Sequence, residues 1–179
     1  MDNLRAANEL ARRQAFLPDV VRHAREIIGP SADVVEEGPF LILRWVRSNL
    51  KYWMEAPDGE IIRGYYSALK DGGGDCDCLS VVCAALLRSV GLHAFVVGVS
   101  PTRNRDHFSH AMVAVYQPGV EGGPLLLETV DDSRYGGQSW PYSHVPEFAA
   151  SLHYYDARKR RWVRLRDVRV ENPTFNQDL

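Results

Sequence analysis

The apolar residues of this chain change their period once, at Gly91, and that change fixes the order in which helix and sheet must follow each other. Before it, "GGGDCDCLSVVCAALLRSVG" (72–91) repeats its apolar positions at helical spacing, with Leu79, Val82, Cys83, Leu86, Leu87 and Val90 on one stripe and a glycine to stop it. After it, "HAFVVGV" (93–99), "SHAMVAVY" (109–116) and "PLLLETV" (124–130) read as strands, parted by the polar loop "PTRNRDHF" and the turn "QPGVEGG". Residues 131–147 hold Gly136, Gly137, Pro141 and Pro146 and read as an irregular loop, and "SLHYYDARKRRWVRLRDV" reads as a hairpin turning near Ala157–Arg160. Helices first and an antiparallel meander second make an α+β domain.

The segment ahead of the cysteine helix is also helical. Residues 3–16 form a polar, Ala-rich helix closed by Pro18, and Asp19 is placed to cap a second helix with Val20, Val21, Ala24, Ile27 and Ile28 on one stripe. Pro39 opens a third helix carrying Phe40, Leu43, Val46 and Leu50, which "KYWMEAPDGEII" leaves through a Pro-Asp-Gly turn. "GYYSALKDGGG" leads to the glycines as a loop or short helix. With 179 residues the expectation is a single domain over 1–179, divided into a helical part (1–70), a core (71–130) and a C-terminal loop and hairpin (131–170).

Three cysteines, odd in number and packed within eight positions, do not make a disulfide framework and fit a reducing compartment. The opening "MDNLRAANELARRQAF" holds no apolar run of signal-peptide length, and no stretch reaches the ~20 apolar residues of a membrane span, so a cytoplasmic protein without membrane partners is expected. A net charge of −2 argues against a nucleic-acid partner, and the basic "DARKRRW" turn reads as a solvated hairpin tip.

The chemistry concentrates at Cys76. Asp75 or Asp77 can cap the helix that begins there. At ~100° per residue, Cys76 and Cys83 are nearly in phase on the buried stripe, and Cys78 faces about 200° away. A thiol at a helix start meets free N–H groups and the positive end of the dipole, which lower its pKa and can hold an oxyanion. The three glycines leave space for a substrate backbone, so Gly74, Asp75 and Asp77 are candidate binding positions beside the nucleophile. Cys83 reads as a small core residue, and the plain alternative is that all three cysteines are packing.

A cysteine nucleophile needs an imidazole within reach and a third group to orient it. His110 opens its strand, with Met112, Ala114 and Tyr116 on its own face and Ala111, Val113 and Val115 on the other. Glu128 is the one acid within "LLLETV", where a carboxylate is costly unless paired. His107 is a rival base, and Asp131 and Asp132 are rival orienters.

"GDCDCLSVVCAALLRSVGLHAFVVGV", then "FSHAMVAVY", then "PLLLETV" resembles the transglutaminase-like superfamily, whose core is related to papain. The "YYSALKDGGGDCD" form is similar to small bacterial and phage-encoded members, and the motifs cover about residues 40–130. The resemblance implies a papain-like α+β core, with Cys76 as nucleophile, His110 as base and the Glu128 position as orienter. It departs from the family at Glu128, where Asp is usual, and at Cys78, where many members carry Asp. The implied chemistry is acyl transfer from an amide of a peptide or protein through a thioester, ending in hydrolysis or cross-linking. No cofactor is expected.

Two other readings stay open. The family's fold can serve as a catalytically silent binding or assembly module. Cys76 and Cys78 with His107 and His110 are also residue types that bind zinc, although the phase argument sends the two thiols apart. "YWMEAP" and "RYGGQSWPYSHVPEF" bring Trp53, Trp140 and Tyr142, which can line a peptide groove or simply pack.

Overall fold

The computed structural model describes residues 2–54, 61–99, 110–116, 124–130, 141–142, 153–156 and 161–164. Five helices lie in the first half: α1 (Asp2–Gln14), α2 (Pro18–Ile28), α3 (Gly38–Asn49), α4 (Tyr65–Asp71) and α5 (Cys76–Ser89). The start of α2 differs from the sequence expectation. Pro18 occupies the first helical turn, where its missing N–H is not needed, and Leu17 is the cap residue without a side-chain hydrogen bond. Asp19 therefore sits inside the helix and pairs with Arg22 at 2.6 Å. In α3 the buried side is Ile42, Leu43 and Val46, while Phe40 points to solvent.

α5 is the axis of the molecule. It packs against α1, α2, α3 and α4 and against two strands, β3 (His93–Val99) and β4 (His110–Tyr116). Every residue from Asp77 to Leu87 is buried. A helix enclosed on all sides has no solvent face, so a phase argument cannot say which of its residues is exposed. This overturns the expectation that Cys78 faces away from the interior: Cys78 is fully buried and Cys76, at the helix start, is the partly exposed one. Beyond Ser89 the helix is closed by Gly91 N–H to Arg88 C=O at 3.0 Å and Leu92 N–H to Leu87 C=O at 3.1 Å, a paired-carbonyl stop that turns the chain directly into β3.

Two short strands were not legible as such. β1 (Lys51–Tyr52) and β2 (Gly73–Gly74) run parallel, with Lys51 opposite Gly73 and Tyr52 opposite Gly74. The main sheet adds β5 (Leu125–Leu127), β6 (Pro141–Tyr142), β7 (His153–Asp156) and β8 (Arg161–Arg164), in the order β6-β5-β4-β3-β7-β8, all pairs antiparallel. The meander from β3 to β5 is as expected, β6 falls within residues 131–147, which were expected to be an irregular loop, and the β7–β8 hairpin joins at the far side, beside β3. The ladder of β5 ends at Leu127, so Glu128, Thr129 and Val130 leave the sheet rather than extend it. All seven residues of β4 are buried, so its two faces are both interior and neither faces water.

Asn8 ties α1 to the sheet. Asn8 Nδ2 donates to Val96 C=O at 2.7 Å and Asn8 Oδ1 accepts from Val96 N–H at 2.9 Å. No helix among the described residues is long and apolar enough to cross a membrane.

Candidate active site

The start of α5 is built by Asp75. Its side chain accepts from Cys78 N–H at 3.1 Å, and its carbonyl accepts the first helical bond, from Leu79 N–H at 3.0 Å. Asp75, not Asp77, is thus the cap, and Cys76 stands at the first helical position. Its N–H belongs to the turn whose donors no helical carbonyl can reach.

The glycines ahead of Asp75 are used by the chain itself. A Cβ on Gly73 would lie 1.9 Å from Lys51 C=O, and one on Gly74 would lie 2.5 Å from Cys78 Cβ. The space expected for a substrate backbone is filled by β1 on one side and Cys78 on the other. Gly74 C=O accepts from Trp53 N–H at 3.1 Å, which fixes Trp53 beside the helix start, and Arg63 lies over the Trp53 ring at 6.0 Å. Cys78 Sγ donates to Ile61 C=O at 3.2 Å and accepts from Arg63 N–H at 3.1 Å. The residues on either side of Cys76 therefore pin both ends of the 54–61 connection, and Met54 and Ile61 stand exposed there.

His110 and Glu128 come together as the spacing suggested. His110 Nε2 and Glu128 Oε2 are 2.7 Å apart, both residues are buried, and the other carboxylate oxygen accepts from Val130 N–H at 2.9 Å. One oxygen is held by the chain and the other faces the imidazole, so the carboxylate cannot rotate without breaking a bond. With Nε2 held on Glu128, Nδ1 is the ring nitrogen on the other side of the imidazole. The Cys76 sulfur accepts a hydrogen bond from Ala111 N–H, the residue next to His110. That bond draws the thiol to the head of β4.

The electrostatics run against the expectation of a lowered thiol pKa. Burial pushes Cys76 up to about 12, the charges of Asp75, Asp77 and Glu128 push the same way, and the Ala111 N–H opposes them. A helix start surrounded by three carboxylates does not by itself make a thiolate. Cys78 and Cys83 are also pushed to about 12, chiefly by burial.

The zinc set is not assembled among the described residues. The ligand-type atoms that cluster are those of Asp75, Asp77 and Cys78, within 4.8 Å of one another, without Cys76. Asp75 is already engaged as a cap and Cys78 as a clamp. His107, Asp131, Asp132 and Trp140 lie outside the described residues.

Sequence reasoning missed four supports of this site. Arg47 Nε, from α3, donates to Glu128 C=O at 2.9 Å, and the Ser80 and Thr129 hydroxyls meet at 3.1 Å in the interior. The Ala111 and Val130 N–H groups carry no side-chain signal. Ser80 and Thr129 do carry one, because each is a hydroxyl within an apolar run.

The chain matches the family description "Transglutaminase-like superfamily" over residues 22–123. No curated protein matches it. Among solved structures, a "putative protease" from Parabacteroides distasonis is 16% identical with a TM-score of 0.53, covering 70% of this chain and 26% of the other. A "putative cysteine protease" from Cytophaga hutchinsonii is 18% identical with a TM-score of 0.48, covering 62% and 36%. Calcium-bound LapG of Legionella pneumophila is 18% identical with a TM-score of 0.48, covering 86% and 84%. The chain spans about a third of the length of the Cytophaga protein and about a quarter of the Parabacteroides one. With an α+β core in which a helix opening at Gly-Asp-Cys packs on an antiparallel sheet, and with that match over more than half its length, the chain belongs to the transglutaminase-like superfamily.

Proposed function

We propose that this chain transfers acyl groups from amide bonds of peptides or proteins through a thioester on Cys76, as a peptidase, amidase or transglutaminase. The observation that carries the reading is the 2.7 Å contact between His110 Nε2 and Glu128 Oε2, next to a Cys76 sulfur held on Ala111 N–H. In this reading the Cys76 thiol gives its proton to His110 Nδ1 and its sulfur attacks the amide carbonyl carbon. The oxyanion that forms is met by the Cys76 N–H. The imidazolium, steadied by Glu128, returns the proton to the leaving amine as the C–N bond breaks. Water or a second amine then attacks the thioester, His110 takes its proton, and the thiol is released. Gly74, Asp75 and Asp77 border the nucleophile, and Trp53 is fixed beside the helix start by its N–H to Gly74 C=O.

A thiol pushed up to about 12 is protonated at neutral pH. Its reactivity therefore has to come from proton transfer to His110 rather than from the helix start. The same raised value favours the second reading, a binding or assembly module that has kept the fold without turnover.

Iodoacetamide labelling from pH 5 to 9, with peptide mapping of the three cysteines, separates the two. The enzyme reading expects Cys76 alone to react fast below pH 7 and to slow at least ~100-fold in His110→Ala. A Cys76 that reacts as slowly as Cys78 and Cys83, and ignores His110→Ala, leaves the silent module.

A further inference from the structure

Glu128 stands just past the last paired residue of β5, where the sheet no longer fixes the backbone. A side chain there can orient an imidazole only if something else fixes its peptide. The structure supplies two anchors from two different helices. Arg47 of α3 holds the Glu128 carbonyl at 2.9 Å, and Ser80 of α5 holds the Thr129 hydroxyl at 3.1 Å. Arg47 and Ser80 thus grip adjacent residues of one short segment that is buried along its length. The third contact, Val130 N–H to Glu128 Oε1 at 2.9 Å, closes a ring within that segment and points the other carboxylate oxygen at His110.

We propose that Arg47, together with the Ser80–Thr129 pair, is the positioning apparatus of Glu128: it sets where the carboxylate meets His110 and does not itself touch the reacting atoms. The longer Glu side chain makes the anchors necessary. An added methylene adds a rotatable bond, and fixing the peptide on one side and the carboxylate on the other removes that freedom. Arg47 suits the task because its planar guanidinium donates in a fixed direction. What the imidazole does chemically rests on the acyl-transfer reading; the positioning itself does not.

The experiment follows the proton between His110 and Glu128 by proton NMR on the full chain and, in parallel, Cys76 alkylation by iodoacetamide. A buried imidazole–carboxylate proton gives a far-downfield signal that exchanges slowly with water. It is expected in the wild type and absent in Glu128→Gln, which assigns it. Arg47→Met is expected to speed its exchange at least ~10-fold, and Arg47→Lys, which keeps a cationic donor, to stay within ~3-fold of wild type. Thr129→Val, which frees the same segment from α5, is expected to act like Arg47→Met and serves if that variant does not fold. The part of Cys76 alkylation that depends on His110 is expected to fall in the same order. The proposal is overturned if Arg47→Met or Thr129→Val lowers the melting temperature but leaves the exchange rate unchanged, or if Arg47→Lys exchanges as fast as Arg47→Met. If wild-type Cys76 shows no His110-dependent alkylation, the acyl-transfer reading fails, and the NMR signal still decides the positioning.

Discussion

The Cys78 thiol does for Arg63 what a neighbouring strand would do: its sulfur accepts the Arg63 N–H at 3.1 Å and donates to the carbonyl of Ile61, two residues earlier, at 3.2 Å. A cysteine is the right size for this because it must fit against Gly74, whose missing Cβ leaves only the room that Cys78 fills. Cys78, one of the two positions where the chain departs from the pattern of the resemblance, is therefore a fastener for the wall next to Cys76.

Cys78→Ala removes both bonds and leaves a part-buried N–H and C=O to find other partners. A loss of about 1–3 kcal/mol is expected in urea unfolding. Cys78→Ser keeps a donor and acceptor at the same place and is expected to lose less. Equal stability of the alanine variant and wild type would remove the clamp from the account.

Gly74→Ala is expected to cost about 1–3 kcal/mol, because its Cβ would come within 2.5 Å of Cys78 Cβ. The clash is not with Cβ alone, since Cys78 Sγ would be 3.2 Å away. Combining Gly74→Ala with Cys78→Gly removes the obstructing atoms, so the double variant should lose less than the sum of the two single variants. Strict additivity in a double-mutant cycle would count against this packing.

Stability at high pH follows from the thiols. Cys83 is fully buried and its pKa is raised from about 9 to about 12, so the folded state keeps a proton that the unfolded state loses. A group raised in this way contributes fully below its unfolded pKa and loses that contribution as pH climbs through the folded one. Unfolding stability should fall between about pH 9 and 12, with Cys83 contributing at most ~1.4 kcal/mol per pH unit. The measurement is urea unfolding of wild type and Cys83→Ala across that window. The gap between them should narrow as pH rises, and a constant gap would show that Cys83 does not titrate this way.

Glu128→Gln keeps the shape of the side chain and removes its charge. Its effect on folding should be small beside its effect on Cys76, whose His110-dependent alkylation is expected to fall at least ~10-fold. Glu128→Asp tests reach: the carboxylate is one methylene shorter and has to choose between Val130 N–H and His110 Nε2. An aspartate variant alkylated as fast as wild type would mean that reach is not limiting here.

How much of this was readable beforehand depends on which force fixes each part. The Cys76 helix, the strands that follow and the Glu128–His110 pairing were legible because each is set by local periodicity or by one polar group stranded among apolar ones. The burial of Cys78 was not, because an all-buried helix erases the phase difference on which the expectation stood. The direction of the Cys76 pKa was not either. The burial that raises it most comes from segments distant in sequence, and the Asp75 and Asp77 charges, which do lie beside Cys76, push the same way ahead of Glu128. Arg47 gave no signal at all, since an arginine in the last turn of a helix is ordinary. β1 and β2 are two residues each, and their pairing depends on Gly73, whose missing Cβ lets the Lys51 backbone approach.

The bond pair between Asn8 and Val96 has a consequence for how wide the sheet can grow. β7 lies along β3 at Gly98, two residues from Val96, and at Val96 the amide of Asn8 takes up both hydrogen-bonding groups. A helix side chain thus occupies the slot that a longer strand, or a strand from another molecule, would need. The first helix works as a doorstop on β3, with Asn8 holding both backbone groups of Val96 against any further strand.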